Sequence, residues 1–233
     1  MAGLRPEAGL RLISSMATRQ VLGELLAAYE PSGGAIRLES VGGVDAANRV
    51  RAGEPFDVVV LAADAIATLT GEGWLDGPSR IDLARSGVAV AVRDGTPRPA
   101  IATEADLRSA VLGAATIGYS TGPSGVQLMR LFERWGIKDA IAGRLAQAPA
   151  GVPVGSLVAD GRVALGFQQL SELLHLPGIE IVGPLPEPVQ ITTIFSAART
   201  GATSRAPAAE RLLAFLASPA AAAAKRAHGM EPA

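Results

Sequence analysis

The sequence predicts an α/β fold of two hinged lobes, each lobe a mostly parallel sheet flanked by helices. Three observations predict it. Apolar periodicity alternates between strand and helix along the whole chain, the pattern that builds parallel sheets with helices on both faces. The run Phe56-Asp57-Val58-Val59-Val60-Leu61 is nearly continuous apolar, as a central strand buried on both faces must be. Composition breaks around residues 82–87 and 184–188, the second carrying Pro184, Pro186 and Pro188, divide the 233 residues. One lobe would hold residues 1–84 plus 189–233 and the other residues 85–188, each near the usual size of a domain. Two chain crossings between lobes describe a clamp that closes on a ligand in the cleft between them.

Each element has its own signal. Residues 10–14 form a short strand, and residues 18–29 repeat Val21, Leu22, Leu25 and Leu26 at helical spacing until Pro31-Ser32-Gly33-Gly34 breaks the helix. Residues 36–40 alternate as a half-buried strand. Gly42-Gly43 begins a turn, Asp45 is placed to cap a helix running to Arg51, and Gly53 with Pro55 ends it. A helix at 65–69, a glycine-rich loop and a strand at 88–92 follow. Thr103 and Asp106 have capping-box spacing and open a helix to residue 111. Strands at 115–119 and 163–167 frame an amphipathic helix at 124–135 and another at 154–160. A short helix at 170–174 and strands at 179–182 and 190–196 precede a final helix at 207–225, kinked or restarted at Pro219.

Composition limits the chemistry. With 22 acidic and 21 basic side chains and a net charge of -1, there is no basic excess to follow a phosphate backbone, so nucleic acid is excluded as a partner. The absence of cysteine removes disulfides, zinc ribbons and thiol nucleophiles. His175 and His228 are the only histidines, too few for a multi-histidine metal site. Neither metal nor cofactor is expected. No segment has the length of a membrane span, and residues 1–20, interrupted by Arg5, Glu7, Arg11 and Arg19, lack a secretory signature. A monomer is expected.

Three segments share one design, a strand ending in hydroxyls or glycines followed by a helix start. They are Ser14-Ser15-Met16-Ala17-Thr18, Ser40-Val41-Gly42-Gly43-Val44-Asp45, and Tyr119-Ser120-Thr121-Gly122-Pro123-Ser124-Gly125-Val126. Unpaired N–H groups at helix starts favour anions without needing formal charge. Gln168 and Gln169, expected just past a strand end, add two adjacent amides that can donate and accept near the cleft; the alternative, equally weighted because strand neighbours face opposite ways, is one packed and one solvated. Arg19, Arg49 and Arg93 could each clamp a carboxylate if they face the cleft. Gly118 to Gly122 also spells the G-x-S-x-G of hydrolases, but Pro123-Ser124-Gly125 is expected to delay the helix that such an elbow requires.

Ala52-Gly53-Glu54-Pro55-Phe56-Asp57 leading into Val58-Val59-Val60 and Ala63-Asp64, Pro123-Ser124-Gly125-Val126 with Trp135-Gly136, Leu165 to Leu173 and Gly183-Pro184-Leu185-Pro186 together resemble the periplasmic molybdate-binding protein family. The ending His228-Gly229-Met230-Glu231-Pro232-Ala233 is similar to a divergent branch that also resembles aconitate isomerase. The resemblance implies a solute-binding protein for a small anion, feeding an ABC permease in the periplasm; the missing secretory signature leaves the cytoplasm open. It places the family's hydroxyl contacts at Ala17 and the Gly42-Gly43-Val44 turn, its backbone-amide contact at Ser124, and Gln169 where a tyrosine is expected. Such replacements fit a carboxylate better than tetrahedral molybdate. The alternative is an isomerase of an unsaturated polycarboxylate, with Glu39, Asp45 and Tyr119 as acid–base candidates.

Overall fold

A computed structural model describes residues 9–29 and 35–233 of the chain. The helix break expected at residues 31–34, and the charges Arg5 and Glu7, lie outside the described residues. In chain order the elements are β1 (Leu10–Ser15), α1 (Arg19–Ala28), β2 (Ile36–Val41), α2 (Gly43–Arg51), β3 (Val58–Ala62), α3 (Ala63–Gly71), β4 (Ile81–Arg93) and α4 (Glu104–Gly113). There follow β5 (Ile117–Tyr119), α5 (Pro123–Arg134), α6 (Lys138–Ile141), β6 (Leu145–Gln147), α7 (Val154–Ala159), β7 (Leu165–Gln169) and α8 (Leu170–Leu173). The chain ends with β8 (Ile179–Pro184), β9 (Thr192–Arg199), α9 (Ala206–Ala217), α10 (Ala222–Ala227) and β10 (Glu231–Pro232). It divides into two units, Met1–Arg85 with Ile194–Ala233, and Ser86–Thr193.

In the first unit β1 lies between β2 and β3, both parallel to it, with Ser14 in register with Ser40 and Val60. β9 adds antiparallel to β3. Because successive strand residues face opposite ways, Leu10, Leu12, Val58 and Val60 pack with Val21, Leu22 and Leu212 on one face. Ile13, Val59 and Leu61 pack with Val50, Ile66 and Leu69 on the other. Burying each such side chain is worth roughly 1.5–3 kcal/mol. Buried Asp57, just ahead of β3, accepts from the Arg11 amide at 2.8 Å and the Thr203 hydroxyl at 2.5 Å, so a charge is tolerated beside an apolar run.

β4 is thirteen residues long, much more than the five expected. Asp82 and Arg85 within it read as a composition break, but Asp82 accepts a 2.6 Å hydrogen bond from the Ser196 hydroxyl and pairs with Arg80. Those partners let a polar stretch remain in the sheet. The expected cap at Asp45 also differs. Gly42 is the N-cap of α2, which starts at Gly43, and makes no side-chain capping bond. The Thr103–Asp106 capping box is present in both directions. At Pro219 the final helix stops and restarts through a 3-10 turn.

In the second unit β5, β6 and β7 are parallel, and β4 runs antiparallel to both β7 and β8. α4 and α5 cover one face through Leu107, Val111, Leu128 and Phe132 against Val90, Phe167 and Ile117. The other face is built for close approach by α7. A Cβ on Gly118 would lie 2.7 Å from Val163 Cγ1 and 2.9 Å from Val154 Cγ1, and one on Gly166 would lie 2.5 Å from Val158 Cγ2. Overpacking of this kind costs roughly 1–3 kcal/mol. Gly166→Ala is therefore expected to destabilise the chain by about that amount in urea unfolding, and an unchanged midpoint would contradict the close packing of α7.

Candidate functional site

The carboxyl ends of β1, β2 and β3 lie together because the three strands are parallel. Ser14 is fully buried and its hydroxyl lies 2.8 Å from that of Ser40. Ser14 and Ser15 face opposite sides of the strand, and Ser15 is turned toward α2. A Cβ on Gly43 would sit 3.8 Å from the Ser15 Cβ. Ser15 is only 8% exposed, and its Oγ has no hydrogen-bond partner. Such a hydroxyl is costly to leave unpaired. It sits beside the first turn of α2, whose leading N–H groups have no intrahelical acceptor; the Ala46 N–H is the first to bond back, to Gly42 O at 2.8 Å. Ala17 is buried in the apolar core with Val21 and Leu22, and the Thr18 hydroxyl closes the 3-10 turn on Ser15 O at 3.1 Å.

Two of the three candidate arginines are placed elsewhere. Arg49 donates to Glu39 at 2.8 Å and to Glu54 at 2.8 and 2.6 Å, while Arg11 donates to Glu39 at 3.0 Å. Both guanidinium groups lie over the Phe56 ring, 4.9 and 5.0 Å from its centroid. This closed network leaves Arg49 engaged, and hydrogen bonds from Arg49 and then Arg11 hold the Glu39 carboxyl below its ordinary range. Glu39 is thereby a poor proton carrier. Arg93 lies at the far end of β4, beyond the Ala91–Gly166 pair and away from Gln169. Arg19 opens α1 and is exposed. Asp45 is exposed in the first turn of α2, and Tyr119 is half-buried at the end of β5.

In the second unit α5 begins at Pro123, immediately after the Gly122 N-cap, so the proline starts the helix instead of delaying it. The Ser120 and Ser124 hydroxyls are 3.2 Å apart, and Ser124 is buried. The Gly125 and Val126 amides both bond back to Gly122 O, at 3.0 and 3.3 Å, which leaves the Ser124 N–H as the first-turn donor without an intrahelical acceptor. A Cβ on Gly125 would fall 1.9 Å from Ser120 O, so only glycine lets the helix start fold down on the strand end.

Gln168 and Gln169 are the last two residues of β7, and both are buried at 2% and 3% exposure. Their opposite directions, expected from strand geometry, lead to two sets of protein partners, so the alternative of one packed and one solvated amide does not hold. Gln168 Oε1 accepts the Gly155 N–H at 3.1 Å and its Nε2 donates to Glu172 at 2.9 Å. Gln169 Nε2 donates to the Thr193 hydroxyl at 2.7 Å, and its Oε1 has no partner. Since a hydroxyl can donate or accept, this amide can also sit turned over, with its NH2 outward. Glu172 was not expected from sequence. The residue is half-buried, but desolvation of its carboxyl dominates and raises it to about 7, with the Gln168 amide opposing the shift. Its one legible sign was the i, i+4 spacing from Gln168. Among the described residues no group of three His, Asp or Glu side chains could hold a metal ion.

Parallel strands ending in helix starts, with neutral hydroxyls and amides at the ends, define the α/β architecture of both units. The fold is that of the periplasmic binding proteins. The periplasmic molybdate-binding protein of Azotobacter vinelandii matches with a TM-score of 0.78 at 21% identity, over 95% of this chain and 98% of that one. The sulfate-binding protein SubI of Mycobacterium tuberculosis matches with a TM-score of 0.76 at 16% identity, over 97% and 87%. The chain belongs to the bacterial extracellular solute-binding protein family, whose sequence model matches residues 10–231. Among characterised relatives, an aconitate isomerase of a Pseudomonas species is 37% identical, over 98% of this chain and 89% of that protein. No helix among the described residues is long and apolar enough to cross a membrane.

The Glu39 network carries a pH dependence of known sign. Its carboxyl titrates lower when folded than when unfolded, so its contribution is present above the ordinary carboxylate range and is lost as pH falls through the depressed value. Glu39→Gln should cost roughly 0.5–1 kcal/mol at neutral pH and flatten the acid limb of stability. Urea unfolding across a pH series checks this, and parallel acid limbs in variant and wild type would contradict it.

Proposed function

We propose that this chain is a binding protein for a small polycarboxylate anion recognised by neutral donors, with aconitate as the first candidate ligand. The observation that carries the proposal is the buried, unpartnered Ser15 hydroxyl beside the start of α2. A ligand oxygen would complete that hydroxyl and meet first-turn amides together. Ser14, Ser40, Gly42 and Gly43 shape this position in the first unit. Ser120, Ser124, Gly125, Val126, Gln168 and Gln169 shape the corresponding strand ends in the second. The planar amide of Gln169, able to offer either face, suits carboxyl groups, and the 37% identical relative is named for a tricarboxylate. Engagement of Arg11 and Arg49 by carboxylates of the chain itself leaves recognition to dipoles. On this reading the chain acts outside the cytoplasmic membrane as a monomeric partner of an ABC permease.

A second reading is favoured by the relative and by Glu172: the chain interconverts isomers of an unsaturated polycarboxylate. Binding would be common to both readings.

Titration calorimetry with aconitate, citrate, sulfate and molybdate tests the ligand class. Aconitate should bind, molybdate should bind weakly or not at all, and Ser15→Ala should weaken aconitate roughly 10- to 100-fold, the worth of one hydrogen bond to a charged group. Tight molybdate binding with silent carboxylates would overturn the proposal.

A further inference from the structure

We propose that the outer edge of β2, with the apolar groove beside it, takes up an extended segment of a partner protein in which apolar and acidic residues alternate. β2 ends the sheet on one side, with β1 as its hydrogen-bonded neighbour. Among the described residues no backbone hydrogen bond reaches its other side. An edge of this kind carries a row of N–H and C=O groups that can pair with an added strand. Proline and bulges are the usual ways to spoil such an edge. β2 contains no proline, and its six residues pair with β1 without a register shift.

On the α1 face of this edge lies a groove of about 480 Å³, lined by Gly23, Leu26, Ala27, Tyr29, Ile36 and Leu38. Gly23 and Ala27 are four residues apart and share one face of α1, where their small size leaves the strand uncovered. The Tyr29 ring is 5.0 Å from that of Phe215, which fixes one wall. Ile36 and Leu38 turn to this face and Arg37 to the other, where it is exposed. Its partner on β1 is Arg11. There Arg11, Arg37 and Arg49 face two carboxylates, Glu39 and Glu54, and both carboxylates are held by Arg11 and Arg49. Arg37 has no ion pair with any described residue.

Successive residues of an added strand would face opposite ways, alternate ones entering the groove and the others lying beside Arg37. Directly opposed side chains in neighbouring strands have Cβ atoms about 4.5–5.5 Å apart, so a carboxylate there meets the Arg37 guanidinium. The complementary segment is therefore apolar on one side and acidic on the other. A second copy of β2 fits poorly. Antiparallel pairing about Leu38 would set Glu39 opposite Arg37, but Glu39 is already bonded to Arg11 and Arg49.

The test is fluorescence anisotropy of the full chain with a short labelled peptide that alternates valine and aspartate. A second peptide carries lysine in place of aspartate, and a third is the first with its amides N-methylated. The aspartate peptide should bind, the lysine peptide at least ~10-fold more weakly, and the methylated peptide not at all. Arg37→Glu should reverse the order of the first two. Gly23→Leu should abolish binding while unfolding at or above the wild-type temperature, since a Cβ at Gly23 meets nothing within 4 Å and glycine is a poor helix former. Hydrogen exchange should slow at β2 amides when the aspartate peptide is added. No binding of that peptide, equal affinity for the lysine peptide, or binding that survives Gly23→Leu overturns the proposal. β2 amides already protected in the free chain would show the edge to be covered, and a dimer by light scattering that Gly23→Leu dissolves would give it to a second copy; either overturns the proposal.

Discussion

The parallel pairing of β1 with β2 on one edge and β3 on the other determines where Ser14, Ser15 and Ser40 come to rest. Side chains alternate along a strand, so a slip of one residue would turn Ser15 away from α2 and carry Ile13 off the core face that Val59 and Leu61 share. The same apolar contacts that stabilise the sheet therefore aim the hydroxyls. Core packing and the placement of these hydroxyls are set by one register, and the helix starts fall where parallel strands end. In the second unit β5 and β7 apply the same rule, placing the Ser120 loop and the two glutamines at one sheet end.

Charge is kept apart from this apparatus. The Arg11–Glu39–Arg49–Glu54 network closes around the Phe56 ring, and Asp57 is satisfied by Thr203, Arg205 and the Arg11 amide. On the proposed reading, what faces a ligand is mostly hydroxyl and amide. Uncharged donors hold an anion by direction more than by long-range attraction, so the geometry of the ligand matters more than its total charge. Glu172, unlike Glu39, is held by an amide and not by a cation.

Much of this was legible in the sequence because local signals and tertiary demands agreed. The apolar run into β3, the Thr103–Asp106 box and the restart at Pro219 all announce themselves within a few residues. Elements missed from sequence were short or polar: β6 and β10 have three and two residues, and β4 contains charges whose partners, Arg80 and Ser196, are set beside Asp82 by the fold. The hydroxyl and glutamine positions could be named, but not the difference between them. That Ser14 is paired and Ser15 is not depends on which side of β1 each faces, and that Arg49 is engaged depends on Glu39 arriving from another strand. Gly125 shows the same limit. Its neighbours suggested an amide donor, whereas its structural importance is the absence of a side chain against Ser120 O.

Gly43 and Gly125 both stand at helix starts, yet they differ in what change they permit. At Gly125 even a methyl group would collide with backbone at 1.9 Å, whereas at Gly43 the nearest neighbour of an added Cβ is 3.8 Å away. Evolutionary freedom is therefore unequal around the site. A single codon change can add a hydroxyl at position 43, beside Ser15, without disturbing the fold, and on the proposed reading that would alter which ligands are held. Position 125 offers no such route. If the start of α2 meets the ligand as proposed, ligand preference can change there by small steps while the start of α5 stays fixed, and so drift faster than architecture.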